Sequence, residues 1–137
     1  MSTPPPSDAE LLAAADAELL AAADAVAVRA YAPYSNFHVG CAVLARDGRV
    51  IEGVNVENAA YPLGVCAERT AFSRAVAEGY RPGDFAVAAI TASPCGGCRQ
   101  WLHEMGVDRV VFRNGGRVVT MTTDELLPES FDSSDLG

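Results

Sequence analysis

Three of the four cysteines stand in two short clusters, Cys66-Ala67-Glu68 and Pro94-Cys95-Gly96-Gly97-Cys98. Two cysteines separated by two residues are a common zinc half-site. The three-residue step from Cys95 to Cys98 places both on one face if that segment is helical. A helix start there supplies backbone N–H groups and the positive end of the helix dipole, which favour thiolate over thiol. Ser93 and Pro94 read as the cap and first turn of such a helix, which runs to about residue 105. Cys66 reads as the opening of a second helix over 66–78, closed by Gly79. Residues two apart on a helix do not face each other. Cys66 must therefore sit at or just before the helix start if its sulfur and the Glu68 carboxylate are to reach one metal.

A structural zinc site closes with four protein ligands, whereas a catalytic one keeps a position for water. The sequence offers three cysteines in pattern, a fourth, Cys41, in a predicted strand, and two histidines, His38 and His103. A His or Cys, a Glu two residues on, and a later Pro-Cys-x-x-Cys make up the zinc deaminase pattern, in which the Glu is the general acid/base and not a ligand. A redox pair or a structural zinc pair is the plainer reading of Cys-x-x-Cys. Neither gives Glu68 a use, so catalytic zinc is the preferred reading. Cys41 reads as a small buried hydrophobe.

Composition narrows the partners. With 18 acidic against 10 basic residues the net charge is -8. Cationic surface supplies most of the affinity for a nucleic-acid backbone, so this balance disfavours one. A Walker-type phosphate loop is also missing, which favours a small, phosphate-free ligand. No stretch approaches the roughly 18 apolar residues that span a bilayer. Residues 1–6 lack the basic and apolar regions of a signal peptide, which points to a cytoplasmic location. Thiols stay reduced there, so the cysteines are expected as ligands or core residues rather than disulfides.

At 137 residues the chain suits one domain. Residues 1–6 are expected as a disordered tail and 7–137 as the domain. Ser7 and Glu10 suggest a capping box opening a helix to about residue 31. That helix holds a duplication, AELLAAAD at 9–16 and again at 17–24, too short for an architectural repeat and read as a chance extension. Pro33 breaks the helix. Strands are expected over 37–45 and 50–56, joined by a turn at Asp47-Gly48. The apolar run 85–92 reads as a central buried strand, 109–113 and 117–120 as short strands, and 124–127 as a short helix. The order implies a mixed sheet with helices on both faces. Phe37, alternating with Val39 and Cys41, is by default a core residue. Asn55 and Glu57 lie two apart on an extended segment and share a face. Taken alone they are an ordinary polar strand end.

Five segments together carry a family resemblance: YAPYSNFHVG at 31–40, GVNVENA at 53–59, CAER at 66–69, PCGGCRQ at 94–100 and LLPESF at 126–131. In this order they closely resemble the small homotetrameric zinc-dependent cytidine deaminases. The resemblance implies an α/β fold, the three-layer α/β/α arrangement with a five-stranded mixed sheet. It implies Zn2+ held by Cys66, Cys95 and Cys98, with Glu68 as proton shuttle. It places Phe37 against a nucleoside base and Asn55 and Glu57 on the sugar hydroxyls. It implies that Tyr61 and Phe131 complete the substrate pocket, partly from neighbouring subunits, and that Ala67 is also a substrate-binding residue. Arg69 matches an arginine that hydrogen-bonds the thiolates. The implied reaction takes cytidine and 2′-deoxycytidine to uridine and 2′-deoxyuridine with release of ammonia, within pyrimidine salvage.

Three rivals remain at this point. A deaminase of a blasticidin S-type antibiotic shares the metal motifs, but the loop 61–64 and Phe131 favour plain cytidine. Editing of polynucleotides is disfavoured by the acidic balance. A non-enzymatic zinc module predicts a fourth protein ligand and leaves Glu68 idle.

Overall fold

The computed structural model describes residues 3–137. Met1 and Ser2 of the expected tail lie outside the described residues; residues 3–6 are exposed and without regular structure. Helix α1 (Asp8–Ala27) leads into the hairpin β1 (Gly40–Ala45) and β2 (Val50–Val54). Helix α2 (Ala67–Ala77), strand β3 (Phe85–Ile90), helix α3 (Gly96–Met105), strands β4 (Arg109–Asn114) and β5 (Arg117–Met121), and the short α4 (Thr123–Leu126) follow. The five strands form one sheet in the order β2-β1-β3-β4-β5. Only β3 and β4 run parallel, joined by the α3 crossover; the other pairs are antiparallel.

Strand alternation sends side chains to two separate cores. Ala42, Val87, Ala89 and Val111 pack with Leu19, Leu20 and Ala23 of α1. Cys41, Val43, Phe85, Ala88, Ile90 and Val110 pack with Phe72 of α2 and Leu102 of α3. The three layers expected from the family resemblance are therefore present, and β3 is buried on both faces as its apolar run requires. Gly53 lets α2 lie directly on β2. A Cβ there would overlap the Ala67 carbonyl and the Ala71 backbone, and so displace the helix that begins beside Cys66.

The largest departures from the expected boundaries, at the end of α1 and the start of β1, have tertiary reasons. Helix α1 stops at Ala27, because Tyr31 is drawn into a bridge with Val56, its N–H to the Asn55 carbonyl at 3.0 Å and its carbonyl from the Glu57 N–H at 2.8 Å. Strand β1 starts at Gly40 rather than at Phe37. Ahead of it the Asn55 side chain accepts from the Val39 N–H and donates to the Phe37 carbonyl, both at 2.8 Å, in place of ladder bonds. At the other end of α1 the Ser7 hydroxyl accepts from the Glu10 N–H at 3.1 Å, one half of the capping box.

The duplication in α1 also proves more than a chance extension. Each copy ends in an aspartate, and each aspartate forms a two-pronged pair with an arginine of β4: Asp16 with Arg109, and Asp24 with Arg113. Eight helical residues rise about 12 Å, and four strand residues span about 13 Å. The repeat length thus matches the arginine spacing. The second copy buries Leu19 and Leu20, whereas the equivalent Leu11 and Leu12 are half exposed. Burial separates the two ion pairs as well, since the Asp16 side chain is 12 % exposed and that of Asp24 45 %. Breaking a desolvated pair costs far more than breaking a solvated one. Asp16→Asn should therefore lower stability by about 2 kcal/mol, and Asp24→Asn by less than about 1 kcal/mol. Urea midpoints of the zinc-loaded protein test this; equal losses would show that burial does not set the difference.

Candidate active site

Cys66 and Cys95 are the N-cap residues of α2 and α3, both with extended backbone (φ -71, ψ 156 and φ -68, ψ 169). Neither side chain makes a capping hydrogen bond, so each sulfur is free to point past the helix end. Cys66 thus lies just before its helix, as a shared metal with Glu68 demands. Cap and helix start of α3 fall two residues later than Ser93-Pro94 suggests. The Pro94 carbonyl is held instead by Arg99 Nε at 3.0 Å, so this dipeptide is the connection from β3 rather than a helix opening. Cys98 is the third residue of α3 and fully buried. The sulfurs of Cys66, Cys95 and Cys98 all lie within 4.8 Å of one another. Cys41 stays in the core, as expected of a buried hydrophobe.

This donor set fits a zinc ion. Three sulfurs at about 2.3 Å from one tetrahedral ion lie about 3.8 Å apart. Burial, then the neighbouring Glu68, pushes the Cys98 thiol far up. Burial also raises Cys66. Burial opposes ionisation of Cys95 too, but the Cys98 backbone N–H and the adjoining thiols hold it below its ordinary value. Three thiolates beside a buried carboxylate repel one another strongly, and only a cation makes that cluster stable. Glu68 is 4 % exposed, and burial raises its carboxyl above the usual range. Arg69 lies against the cluster beside Cys98 and Gly97. Burial works against its charge, but contact with the Cys98 sulfur outweighs it and raises the guanidinium. A Cβ at Gly97 would overlap the Arg69 Nη2, so the second Gly of the Cys-Gly-Gly-Cys run makes room for this cation. The Arg69 Nε is buried without a partner.

A cleft of 220 Å³ opens beside Cys66 and Cys95. Phe37, Asn55, Ala67 and Glu68 line it with Cys66 and Cys95, and so do Val39, Ile90, Ala92 and Ser93. Residues 13–114 match the family model described as the cytidine and deoxycytidylate deaminase zinc-binding region. The chain belongs to this family. It is similar to the cytidine deaminase of Halalkalibacterium halodurans, 44 % identical over 117 residues, covering 79 % of this chain and 87 % of that protein. It is similar in structure to a cytidine deaminase from Burkholderia pseudomallei, with TM-score 0.78, 46 % identity, and coverage of 84 % of this chain and 98 % of that one. A cytidine deaminase structure from Mycobacterium tuberculosis aligns with TM-score 0.74 at 35 % identity, over 85 % of this chain and 96 % of that one.

Within this deaminase-family site the structure gives Asn55 and Glu57 a task on their own chain. Both fasten the 34–39 loop. Glu57 Oε1 accepts from the Tyr34 and Ser35 N–H groups at 3.0 and 3.1 Å, and the Ser35 hydroxyl donates to Oε2. The Ser35 hydroxyl in turn accepts from the Phe37 N–H at 3.0 Å. Those bonds, led by the Ser35 hydroxyl, hold the Glu57 carboxyl below its ordinary value. Phe37 is thus not a core residue. It is 61 % exposed, on a loop pinned by two polar side chains, with its ring at the cleft. Glu57 and Tyr61 line a second cavity of 330 Å³ with Tyr34, whose ring meets that of Tyr61 edge-on at 5.8 Å. Phe131 lines neither cavity. Ser35 and Arg99 brace the site without having been singled out for it in the sequence: Ser35 holds the Phe37 loop, and Arg99 the Pro94 carbonyl ahead of Cys95. Their only sequence signal is a place inside the motifs that hold Phe37 and Cys98.

Proposed function

We propose that this family member is a zinc-dependent hydrolytic deaminase of free cytidine and 2′-deoxycytidine, working in pyrimidine salvage. One observation carries the reading: two helix starts gather three thiols, and two of these thiols and one buried carboxyl line a single small cleft. Zinc, when bound by Cys66, Cys95 and Cys98, supplies Lewis-acid activation of water near neutral pH. Glu68 would take a proton from the activated water as it attacks C4, pass it to cytosine N3, and then carry the proton of the new C4 hydroxyl to the departing amino group, which leaves as ammonia. Three thiolates outweigh a dication by one charge, and Arg69 together with the two helix N-termini offsets that excess. Phe37 faces the base and Ala67 the ring edge. Asn55 Nδ2 has a second N–H, and Glu57 keeps unused lone pairs, which supports contacts with the sugar hydroxyls.

The cleft is smaller than the roughly 300 Å³ at the lower end of small-ligand pockets. That supports a homotetramer in which Tyr61 and Phe131, 74 % and 59 % exposed, close the sites of neighbouring copies. The absence of a membrane-length apolar helix among the described residues, and the need for reduced thiols, support a cytoplasmic enzyme. Zinc analysis together with ammonia release from cytidine and from blasticidin S tests the assignment. One zinc per chain and preferential release from cytidine are expected. Preference for the antibiotic would change the substrate; zinc without turnover would reduce the protein to a structural module.

A further inference from the structure

Phe131 sits on a segment that its own chain holds unusually firmly for an exposed aromatic. Gln100 and His103, three residues apart on α3, share a face of that helix. Gln100 Nε2 donates to the Phe131 carbonyl at 2.8 Å. His103 Nε2 and the Ser130 hydroxyl are hydrogen-bonded at 3.0 Å, and the Asp132 carboxylate lies 3.7 Å from the same nitrogen. Just before this point Glu129 adopts a left-handed backbone, φ 52, which a non-glycine residue keeps only where its surroundings enforce it. Arg99 Nη1 donates to the Leu126 carbonyl at 3.1 Å and fixes the segment upstream. The Phe131 backbone is therefore anchored while the residue stays 59 % exposed. Neither Gln100 nor His103 has a role in the chemistry above.

We propose that Gln100 and His103 are positioning residues for nucleoside binding: they clamp 130–131 onto α3 and so hold the Phe131 ring ready to close a neighbouring copy's cleft. This rests on the reading that Phe131 completes such a cleft. The same helix carries Cys95 and Cys98 at its start, so one rigid element supports the metal site of its own copy and the closing ring offered to another. A free strap would have to be ordered at each binding event. Ordering even one backbone residue weakens apparent binding about tenfold.

Steady-state kinetics of the zinc-loaded enzyme with cytidine test this through a mutant cycle. Phe131→Ala is expected to raise KM at least tenfold with kcat nearly unchanged. The Gln100→Ala/His103→Ala double variant should raise KM about tenfold, again with little change in kcat. Introduced together with Phe131→Ala, it should add less than twofold, because the clamp has then lost the ring it serves. His103→Gln, which keeps a donor for Ser130, should recover most of the loss. Should the double variant fold poorly, Ser130→Ala removes the strap side of the bond, leaves α3 intact, and should raise KM several-fold. Additive effects in the Phe131→Ala background, or a loss confined to kcat, would reduce the clamp to a structural contact and overturn the proposal. A neutral Phe131→Ala would instead overturn the role of Phe131 itself, and the clamp's role would go with it.

Discussion

Glu68→Gln is expected to keep one zinc per chain and to lose about 100- to 10,000-fold in kcat, the range a general acid/base supplies. Glutamine matches glutamate in shape, so it fits the buried site where Glu68 stands at 4 % exposure. It cannot take and return a proton. Its neutral amide also removes a charge that crowds the thiols, since Glu68 raises both Cys66 and Cys98. Metal retention should therefore be preserved or improved. Metal analysis and uridine formation on the same sample separate the two effects. Turnover within tenfold of the parent would remove Glu68 from the proton path.

Cys95→Ala is expected to give the opposite pattern, with zinc lost during purification and activity at background. Of the three thiols, Cys95 is the one held below its ordinary value, by the Cys98 backbone N–H and the adjoining thiols. Without it, two ligands remain where zinc sites use at least three. Cys41→Ala is the control. It removes a buried sulfur from the core and should cost some stability while zinc stays stoichiometric. Retention of one zinc per chain by an active Cys95→Ala enzyme would break the proposed ligand set.

How much of this was readable in the chain depends on range. The Cys66/Glu68 relation followed from helix geometry, and the structure places Cys66 at the helix cap as required. The deeply buried β3 followed from its unbroken apolar run. The cap of α3 was misplaced by two residues, because Ser-Pro is a good local opening signal and the competing Arg99 contact to the Pro94 carbonyl is invisible to local rules. Strand β1 was expected to begin at Phe37 because period-two alternation was extended past its true start, and the core packing which that alternation gives Phe37 by default does not occur. The Asn55 side chain, eighteen positions away, had taken over the hydrogen bonds of that stretch.

The sequence by itself determined the chemistry available: which thiols, which acid and which cation stand at helix starts. Local spacing controls these, and helix and strand periods hold whatever surrounds them. Only the tertiary structure decided which polar side chains became scaffolding. Asn55 and Glu57 fastened a loop with part of their hydrogen-bonding capacity, the two copies of AELLAAAD acquired different environments, and Gln100 and His103 gripped the C-terminal segment. Each of these outcomes joins residues far apart in the chain. Hydrogen-bonding capacity can be read from residue type, but the partner that fills it is set by packing.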